Sequence, residues 1–402
     1  MGRTVLKVLI FNALLELAGG GERLALQMAK AIEEVGHQAA VYTFYTSRDM
    51  LENGVRLISP DYAPRILSRE VAGLRYRLMD KLYPGRFVRL KRLLLLKYFL
   101  EEEKNLLAEY DLFIDAGSNI PLSGAVSYIH YPALAKEYGS AEQKGLAYRA
   151  YLRFFYWYAQ RFVGNPLAVF TNSSWTAVKI VETHLSLRGR VSVLHPPVDV
   201  EFFSEVASGE DRERLVVTVS RFTPEKGLDK IIDVAKSMPE YRFVIAGSKA
   251  GYSEPVIRRL RERISEENVA NVELLINVPR RELRDLLGRA KYYLHPPFPE
   301  HFGIAIAEAM AAGCIPIVYR DGGGWTDLAS HVHPGLGYMD IAEIPAIIER
   351  IDSDKQLYQK LRQKAVEHSA KYSYKYFKQK LAEYLENLAQ ASKHQPVRPH
   401  LF

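Results

Sequence analysis

Two glutamates eight residues apart are placed where they could bind hydroxyl groups. Glu308 lies within the run IAIAEAMAAG, which is otherwise apolar, and Glu300 precedes it in the segment PPFPEHF. An ionised carboxylate in an apolar helix is costly unless a ligand, a partner or water satisfies it. A ribose or a hexose would satisfy both carboxylates through its neighbouring hydroxyls. The alternative is that Glu300 only begins a helix and Glu308 only reaches solvent.

The segments around these glutamates predict a strand, a loop and a helix. KYYLH is an apolar run typical of a strand, and a helix is expected to start near Gly303 after the loop PPFPEHF. Glu300 would then precede the helix, and Glu308 would lie one to two turns inside it. Both carboxylates would border the place where the amides of a helix N-terminus attract an anion.

Two cations five residues apart, Arg221 and Lys226, follow another apolar run in VVTVSRFTPEKG. Cations in a loop after a strand suit a diphosphate, because arginine can bind it bidentately and lysine adds a point charge. Pro224 and Gly227 shape this loop, which argues against two solvated surface charges. The sequence therefore predicts a diphosphate-binding loop here.

A glycine cluster, Gly19 to Gly21, stands between the first apolar run and an amphipathic segment. Such a loop allows backbone N–H groups and a helix N-terminus to approach a phosphate. The third position of the dinucleotide pattern G-x-G-x-x-G is occupied by Leu24, which disfavours an NAD(P) dehydrogenase. A plain turn is the alternative.

Short apolar runs alternate with helical segments along the chain, which predicts an α/β fold with parallel sheets. Each half is expected to form its own doubly wound sheet, with ligands at the carboxyl ends of the strands. The predicted strands are 5–12, 38–45, 55–59, 111–117, 124–131, 167–174, 214–221, 241–247, 271–277, 291–296 and 315–320.

The length of 402 residues predicts two domains. We expect an N-terminal domain over 1–197 and a C-terminal domain over 198–372, with a helix at about 373–391 packing back on the first. No apolar run of about 18 residues occurs, so no membrane span is expected. The single cysteine, Cys314, excludes an intrachain disulfide and favours a reducing cytoplasm.

The net charge of +7 is concentrated in two stretches that also carry apolar and aromatic residues. Such helices can lie on an anionic membrane surface, or their aromatic rings can simply pack in the core. No recognition motif supports a nucleic acid partner. Stretch 62–100 contains Arg65, Arg69, Arg75, Arg77, Lys81, Arg86, Arg89, Lys91, Arg92 and Lys97; stretch 144–162 contains Lys144, Arg149, Arg153 and Arg161.

The pattern E-x7-E in EHFGIAIAEAMAAGCIPIV, with GGGERLA upstream and SRFTPEKG between, resembles that of the retaining GT-B glycosyltransferases, which use nucleotide sugars. Within that group, the segments YIHYP, NSSWT, PPVD and EHFGI are most similar to those of the enzymes that add α-1,2-mannose to dolichol-linked oligosaccharide. The resemblance covers nearly the whole chain. It implies two doubly wound Rossmann-like domains that face each other across a cleft.

In the first domain, the resemblance implies that the backbone of Gly20 and Gly21 meets the donor phosphate. His130, which closes a predicted strand in SYIHY, would hydrogen-bond the donor sugar near its reacting carbon. A buried histidine bonded to a carbonyl is the alternative for His130.

In the second domain, the resemblance implies that Arg221 and Lys226 neutralise the leaving diphosphate and that Glu300 holds hydroxyls of the donor sugar. Glu308 would bind the ribose and Val278 would lie beside the base. The backbone that steadies sugar and phosphate would be that of Phe302, Gly303 and Ile304.

Three features depart from the family pattern. Asp327 stands where glutamate is more common, and Asn277 stands where glycine is usual. The eukaryotic relatives carry an N-terminal membrane anchor that this chain is expected to lack. Attachment is therefore expected through the basic and aromatic stretches, or through a partner.

The predicted reaction is transfer of a sugar, with GDP-mannose favoured as donor, to a lipid-linked or membrane-associated glycan with retention of configuration. We expect neither a cofactor nor a metal, and a cytoplasmic protein peripheral on the inner membrane face. Asp352 and Asp354 match the metal-binding pattern D-x-D formally, but they lie between C-terminal helices, where Ser353 is expected to cap a helix.

Three other functions remain open at this point. The first two are a UDP-sugar-dependent GT-B transferase with a soluble acceptor and a sugar-nucleotide epimerase. The third is a nucleotide-sugar binder without activity.

Overall fold

The computed structural model describes residues 5–71, 87–135, 145–209, 212–249 and 253–392, without the side chains of 389–392. These residues divide into two compact units. The first holds the described chain up to Asn172, Thr176–Leu194 and the helix from Phe377 onward. The second holds Ser173–Trp175 and His195–Tyr376.

The first unit is built on a seven-stranded sheet with the order β3-β2-β1-β4-β5-β6-β7, in which all paired strands are parallel. The order reverses between β1 and β4, as in a Rossmann fold. The strands are β1 Lys7–Phe11, β2 Gln38–Tyr45, β3 Ile66–Glu70, β4 Leu112–Asp115, β5 Val126–Ile129, β6 Ala168–Thr171 and β7 Val191–Val193.

The second unit repeats this arrangement in a six-stranded parallel sheet with the order β10-β9-β8-β11-β12-β13. Here the order reverses between β8 and β11. The strands are β8 Glu213–Val219, β9 Arg242–Gly247, β10 Val272–Ile276, β11 Ala290–Leu294, β12 Ile315–Tyr319 and β13 Gly337–Tyr338. The predicted class, α/β with two doubly wound Rossmann-like domains, is confirmed.

Helices connect the strands and cover both sheets, because strands buried on both faces need apolar helix faces against them. Their bounds are Gly20–Glu34, Arg48–Ile58, Val88–Glu102, Lys104–Ala108, Leu146–Ala159, Ser174–Thr183, Val200–Ser204, Asp229–Lys236, Glu254–Glu266, Arg280–Arg289, Ile304–Ala311, Ser330–Val332, Ile344–Asp352, Lys355–Ser369 and Tyr374–Ser392. Within the described residues, no helix combines the length and the apolarity needed to cross a membrane.

The last helix contributes to the first unit. The ring of Tyr384 lies 4.6 Å from that of Phe170 in β6, and Lys378 pairs with Glu34 at 2.7 Å. Each unit keeps its own core: one cluster is centred on Leu9, Phe11 and Phe99, and another runs from Val198 to Tyr372.

One predicted strand was wrong. Of the predicted residues 55–59, the first four end the helix Arg48–Ile58 and Ser59 follows it; the start of this helix is capped by Ser47, which accepts from the Met50 amide. A short apolar run cannot by itself distinguish a helix from a strand. The edge strand next to β2 is instead Ile66–Glu70, in register with Val41–Tyr45.

Candidate functional site

The reversal of strand order in the second unit brings two predicted loops side by side. β8 pairs directly with β11, with Val216 opposite Tyr292, so the segments that follow these two strands leave the same edge of the sheet. In an open parallel sheet, ligands bind outside the carboxyl ends of the strands at such a reversal. The loop with Lys226 and the loop with Glu300 therefore meet.

Lys226 and Glu300 form an ion pair at this edge. Lys226 Nζ lies 2.8 Å from Glu300 Oε2, although 74 residues separate the two in sequence. Lys226 ends the short 3-10 turn Pro224–Lys226, and its ammonium lies 4.7 Å from the centroid of the Phe298 ring. The ammonium group is thus held at the ends of the strands, where it could bind an anionic group of a ligand as well as Glu300.

Glu300 is surrounded by groups that favour its charged form. His295 Nε2 lies 3.5 Å from Oε2, and the His301 amide donates to Oε1 at 3.1 Å. Burial by itself would raise the pKa of Glu300, but Lys226, His295 and His301 together hold that pKa well below its usual range. Glu300 is therefore an ionised acceptor suited to hydroxyl groups.

Two hydrogen bonds and one aromatic contact fix the loop that carries Glu300. The Gly323 amide donates to the carbonyl of Glu300 at 2.6 Å, and Ser173 Oγ donates to the carbonyl of His301 at 2.5 Å. The indole of Trp175 stacks on the His301 ring with centroids 6.0 Å apart. A loop held in this way presents its carboxylate in one orientation, which favours recognition of a rigid ligand.

The unusual aspartate, Asp327, anchors a neighbouring segment. Its Oδ1 accepts from the Ser174 amide and hydroxyl at 2.9 Å each and lies 2.9 Å from His195 Nε2. Burial would raise the pKa of Asp327, but the bonds from His195, Thr326 and Ser174 lower it instead. This carboxylate thus forms its hydrogen bonds with groups of the protein itself, and Asp327 acts as a structural anchor.

The helix Ile304–Ala311 starts at this edge with a backbone that requires glycine. Gly303 has φ of 99°, and an added Cβ would lie 2.6 Å from Ile306 Cδ1. Phe302 is buried, with its ring 5.4 Å from His195 and 5.3 Å from Tyr372. Phe302, Gly303 and Ile304 thus form the helix start, where amides lack intrahelical partners and can bind an anion.

Glu308 lies inside that helix and is paired with an arginine that the sequence did not indicate. Arg280 Nη2 donates to Glu308 Oε1 at 3.1 Å, and the Glu308 side chain is 8% exposed. Arg280 begins the helix Arg280–Arg289, two residues after the half-buried Val278. Arg280 therefore contacts the residue predicted for the ribose and follows the residue predicted for the base by two positions.

Asn277, the second departure, takes the place of glycine without strain. Its φ of 58° lies in the left-handed region, which asparagine tolerates better than most residues. Its amide donates to the Gly247 carbonyl at 2.8 Å, and its Oδ1 accepts from the Lys249 amide at 2.8 Å. The turn after β10 therefore keeps a backbone that glycine would also adopt.

Arg221 is not part of this contact network. Its side chain is exposed, and the described part of the chain shows no ion pair for it. Its carbonyl accepts from the Thr223 amide at 2.9 Å, which tightens the turn before Lys226. The predicted role of Arg221 in binding a diphosphate stays a prediction.

In the first unit, the glycine loop and His130 lie against each other. Gly20 and Gly21 open the helix Gly20–Glu34, and a Cβ on Gly21 would lie 3.2 Å from His130 Nε2. Asn119 Oδ1 accepts from the His130 amide at 2.7 Å, and Asn172 Nδ2 donates to the His130 carbonyl at 3.0 Å. These two asparagines fix the backbone of His130, and no motif in the sequence indicated Asn119.

The D-x-D match has a structural explanation. Asp352 accepts from the Tyr292 hydroxyl at 2.8 Å and from Lys291 Nζ at 3.0 Å. Asp354, and not Ser353 as predicted, caps the next helix by accepting from two amides at 3.0 Å. Ser353 instead ends the preceding helix, because its side chain donates to the Arg350 carbonyl. Across the described ranges, no cluster of His, Cys, Asp or Glu could hold a metal ion.

The two basic stretches differ in how much positive charge and apolar surface they expose to solvent. In the first, Arg69 pairs with Glu103 at 2.9 Å and Arg92 pairs with Glu22 at 3.1 Å, and Lys91 is buried. Their positive charges are thus largely balanced or covered within the first unit. Four basic residues of this stretch and one of the second lie outside the described residues: Arg75, Arg77, Lys81, Arg86 and Lys144.

The second stretch forms the helix Leu146–Ala159, which presents apolar and basic side chains together on its exposed face. Phe154 and Trp157 are 49% and 55% exposed, and Leu146 is also exposed. Arg149 and Arg153 flank them on the same face, and the guanidinium of Arg161 lies 3.8 Å from the centroid of the Trp157 ring. We call these six residues the basic–aromatic face.

Known proteins are similar to this chain in sequence and in fold. Residues 199–368 match the family model described as "Glycosyl transferases group 1". The chain is 27% identical over 416 residues to a Homo sapiens protein, "GDP-Man:Man(3)GlcNAc(2)-PP-Dol alpha-1,2-mannosyltransferase", covering 89% of this chain and 82% of that protein.

Two solved structures cover almost all of the chain. One is sucrose-phosphate synthase from Thermosynechococcus elongatus, with a TM-score of 0.72 and 17% identity, covering 96% of this chain and all 100% of that one. The other is Anabaena Alr3699/HepE in complex with UDP and glucose, with a TM-score of 0.67 and 18% identity, covering 95% and 100%. The GT-B fold implied by the motifs is confirmed.

Proposed function

We propose that this chain, in which residues 199–368 match the family model of the glycosyl transferases group 1, moves mannose from GDP-mannose to a lipid-linked glycan. The observation that carries the proposal is the ionised Glu300, held at 2.8 Å from Lys226 at the strand-order reversal of the second unit. An ionised acceptor beside a cation suits a ligand with sugar hydroxyls next to a diphosphate. The name of the human relative supports mannose, GDP and a lipid-linked acceptor.

Each predicted residue then has a task in the reaction. Glu300 holds hydroxyls of the mannose and Glu308 those of the ribose, while Val278 lies beside the base. The backbone of Phe302, Gly303 and Ile304 steadies the sugar and phosphate. His130 hydrogen-bonds the mannose near its C1 carbon, and Gly20 and Gly21 meet the donor phosphate through their amides.

The chemical step keeps the configuration at C1. The bond from C1 to the diphosphate oxygen breaks with its electron pair leaving on GDP, through an oxocarbenium-like transition state. The acceptor oxygen bonds to C1 from the same face, and its proton passes to the leaving phosphate. Arg221 and Lys226 stabilise the charge that develops on the diphosphate, so the proposal requires no metal and no cofactor.

The first test is a thermal shift with GDP, UDP, GDP-mannose, UDP-glucose and UDP-N-acetylglucosamine. A ligand at 100 times its dissociation constant adds about 2.7 kcal/mol of stability, which raises the melting temperature of a unit of this size by about 5–10 °C. We expect this shift with GDP and GDP-mannose only, and a clearly smaller one in Glu308→Ala. Glu349→Ala, which changes an exposed glutamate of the same unit, serves as the control and should shift like wild type.

Two other outcomes of this thermal-shift test would change the proposal. A shift with UDP ligands alone would keep a glycosyltransferase but replace mannose and GDP as the donor. If no nucleotide shifts the melting temperature, the nucleotide-sugar function is contradicted.

We also propose that the basic–aromatic face rests on an anionic membrane, where a lipid-linked acceptor would be found. The face combines rings that can enter the headgroup region with arginines that attract anionic lipids. Because Arg69 and Arg92 of the first stretch are paired inside the protein and Lys91 is buried, this proposal is centred on the helix Leu146–Ala159. It agrees with a protein peripheral on the cytoplasmic face of its membrane.

Charge reversal on this face is expected to release the protein from vesicles. Each basic residue near an anionic surface contributes about 1 kcal/mol, so Arg149→Glu combined with Arg153→Glu should weaken binding by about 30-fold or more. The measurement is sedimentation with vesicles of phosphatidylcholine and phosphatidylglycerol. Leu185→Ser, which removes a 78% exposed apolar side chain elsewhere in the first unit, should bind like wild type. Unchanged binding of the double variant would contradict this part of the proposal.

A further inference from the structure

Arg280 connects two carboxylates of the second unit through one guanidinium group. Its Nη2 donates to Glu308 Oε1 at 3.1 Å and also to Asp199 Oδ2. Glu308 is almost covered at 8% exposure, whereas the Arg280 side chain is 42% exposed. The arginine therefore reaches from the surface of the unit to a carboxylate that lies inside an apolar helix.

The position of this guanidinium is restrained by its surroundings. Its Cζ atom lies 5.1 Å from the centroid of the Phe203 ring and 5.5 Å from that of Phe202. Contact of a guanidinium with aromatic rings is modestly attractive and limits the rotamers that the arginine can adopt. Asp199 holds the guanidinium from another side, so Arg280 approaches Glu308 from a defined direction.

A carboxylate that binds two neighbouring hydroxyls must be charged and correctly turned. Burial in an apolar helix opposes the charge, and a nearby guanidinium compensates for that cost. Each carboxylate oxygen can accept more than one hydrogen bond, so a bond from Arg280 is compatible with bonds from a ligand. Arg280 can thus orient Glu308 without occupying its whole acceptor capacity.

We propose that Arg280 is a positioning residue for the ribose of the nucleotide donor. It keeps Glu308 charged and turned toward the vicinal 2′ and 3′ hydroxyls, and it has no contact with the reacting atoms. This inference rests on the proposed function, because it requires that Glu308 binds a ribose. It makes ribose recognition depend on a residue two positions after Val278, which the proposed function places beside the base.

The test separates this role from a purely structural one by removing the hydroxyls from the ligand. Dissociation constants for GDP and for 2′,3′-dideoxy-GDP are measured by calorimetry on wild type and on Arg280→Ala. If the thermal shifts select uridine nucleotides, the corresponding UDP pair is used. We expect Arg280→Ala to weaken binding of the normal nucleotide about tenfold, as one orienting hydrogen bond to a charged group would. Binding of the dideoxy nucleotide should change by less than about twofold.

A matched control lies one turn along the same helix. Arg284 also contacts Phe202, with Cζ 4.8 Å from the ring centroid, but it pairs with Glu205 and Asp285 instead of Glu308. Arg284→Ala should leave both dissociation constants as in wild type. Arg280→Lys, which keeps the charge, should recover part of the affinity for the normal nucleotide only.

The outcomes that overturn the inference differ from those that overturn the proposed function. Equal weakening of both nucleotides in Arg280→Ala, or no weakening of either, would show that Arg280 does not act through the ribose. If wild type binds neither GDP nor UDP, the proposed function and this inference fail together. Steady-state kinetics give a second readout: KM for the donor should rise about tenfold in Arg280→Ala, with kcat within about twofold of wild type.

Discussion

Replacing Lys226 by alanine is expected to lower kcat by about 10²–10³-fold, the usual cost of losing one preorganised group that stabilises charge in a transition state. Lys226 Nζ is held 2.8 Å from Glu300 and over the Phe298 ring, so its charge needs little rearrangement when the diphosphate leaves. KM for the donor should change less than kcat, because the charge on the leaving group grows during the reaction. The measurement is steady-state transfer of labelled mannose from GDP-mannose to a lipid-linked glycan.

Three controls make this result specific. Lys226→Arg keeps the charge and should retain more activity than alanine. Lys230→Ala removes a neighbouring lysine that pairs with Asp233 at 3.7 Å, and its rate should equal that of wild type. Wild type in EDTA should keep its rate, since we propose that cationic side chains and no metal bear the charge. A kcat for Lys226→Ala within about threefold of wild type would contradict the assignment.

Glu300→Gln is expected to reduce kcat/KM by about 10²-fold or more. A hydrogen bond to a charged group contributes about 1.5–3 kcal/mol, and the proposed function gives Glu300 at least one such bond to the donor sugar. Glutamine keeps the shape of the side chain but not its charge. Affinity for GDP alone should stay near that of wild type, because GDP lacks the sugar that Glu300 binds. Equal loss of GDP affinity and of activity would place Glu300 at the nucleotide instead.

The same variant should change how stability depends on pH. The pKa of Glu300 in the folded protein lies well below its unfolded value of about 4.3, so the folded state is stabilised above that pH by the ionised form. This stabilisation is lost as pH falls from about 4.3 through the folded pKa. Glu300→Gln should therefore melt at a lower temperature than wild type at pH 7, with the difference shrinking in acid. A difference that stays constant from pH 7 to pH 3 would show that the pKa is not depressed.

The sequence by itself was sufficient for the repeated strand–helix pattern and for the places where chemistry could occur. A parallel strand buried on both faces is a local apolar run, and the loop that follows it is marked by glycine, proline and charged residues. For this reason ten of the eleven predicted strands coincide with observed ones, and Lys226, Glu300 and the start of the helix at Ile304 lie at strand ends as expected. The residue types in those loops already indicated a diphosphate and the hydroxyls of a ribose or hexose, and the resemblance to the GT-B glycosyltransferases joined these into a nucleotide sugar.

Local sequence patterns did not identify the structure where the same residue types are compatible with more than one conformation or partner. Residues 55–58 end a helix that begins after the Ser47 cap, and the cap before Lys355 is Asp354 because its carboxylate reaches two amides. The sequence of stretch 62–100 suggested a strongly basic surface. In its described part some of that charge is balanced, because Glu103 and Glu22 from other segments pair with Arg69 and Arg92. Burial and pairing of this kind depend on partners that are distant in sequence.

Only the tertiary structure determined which charged side chains contact each other. Lys226 and Glu300 are 74 residues apart and touch only because β11 is inserted beside β8 in the sheet. Arg280 reaches Glu308 only because the helices that carry them start at the same edge of the sheet. The sequence thus determined which groups are available and on which loops they lie. The order of the strands, set by packing of the whole unit, determined which of these groups pair and with it the lowered pKa of Glu300.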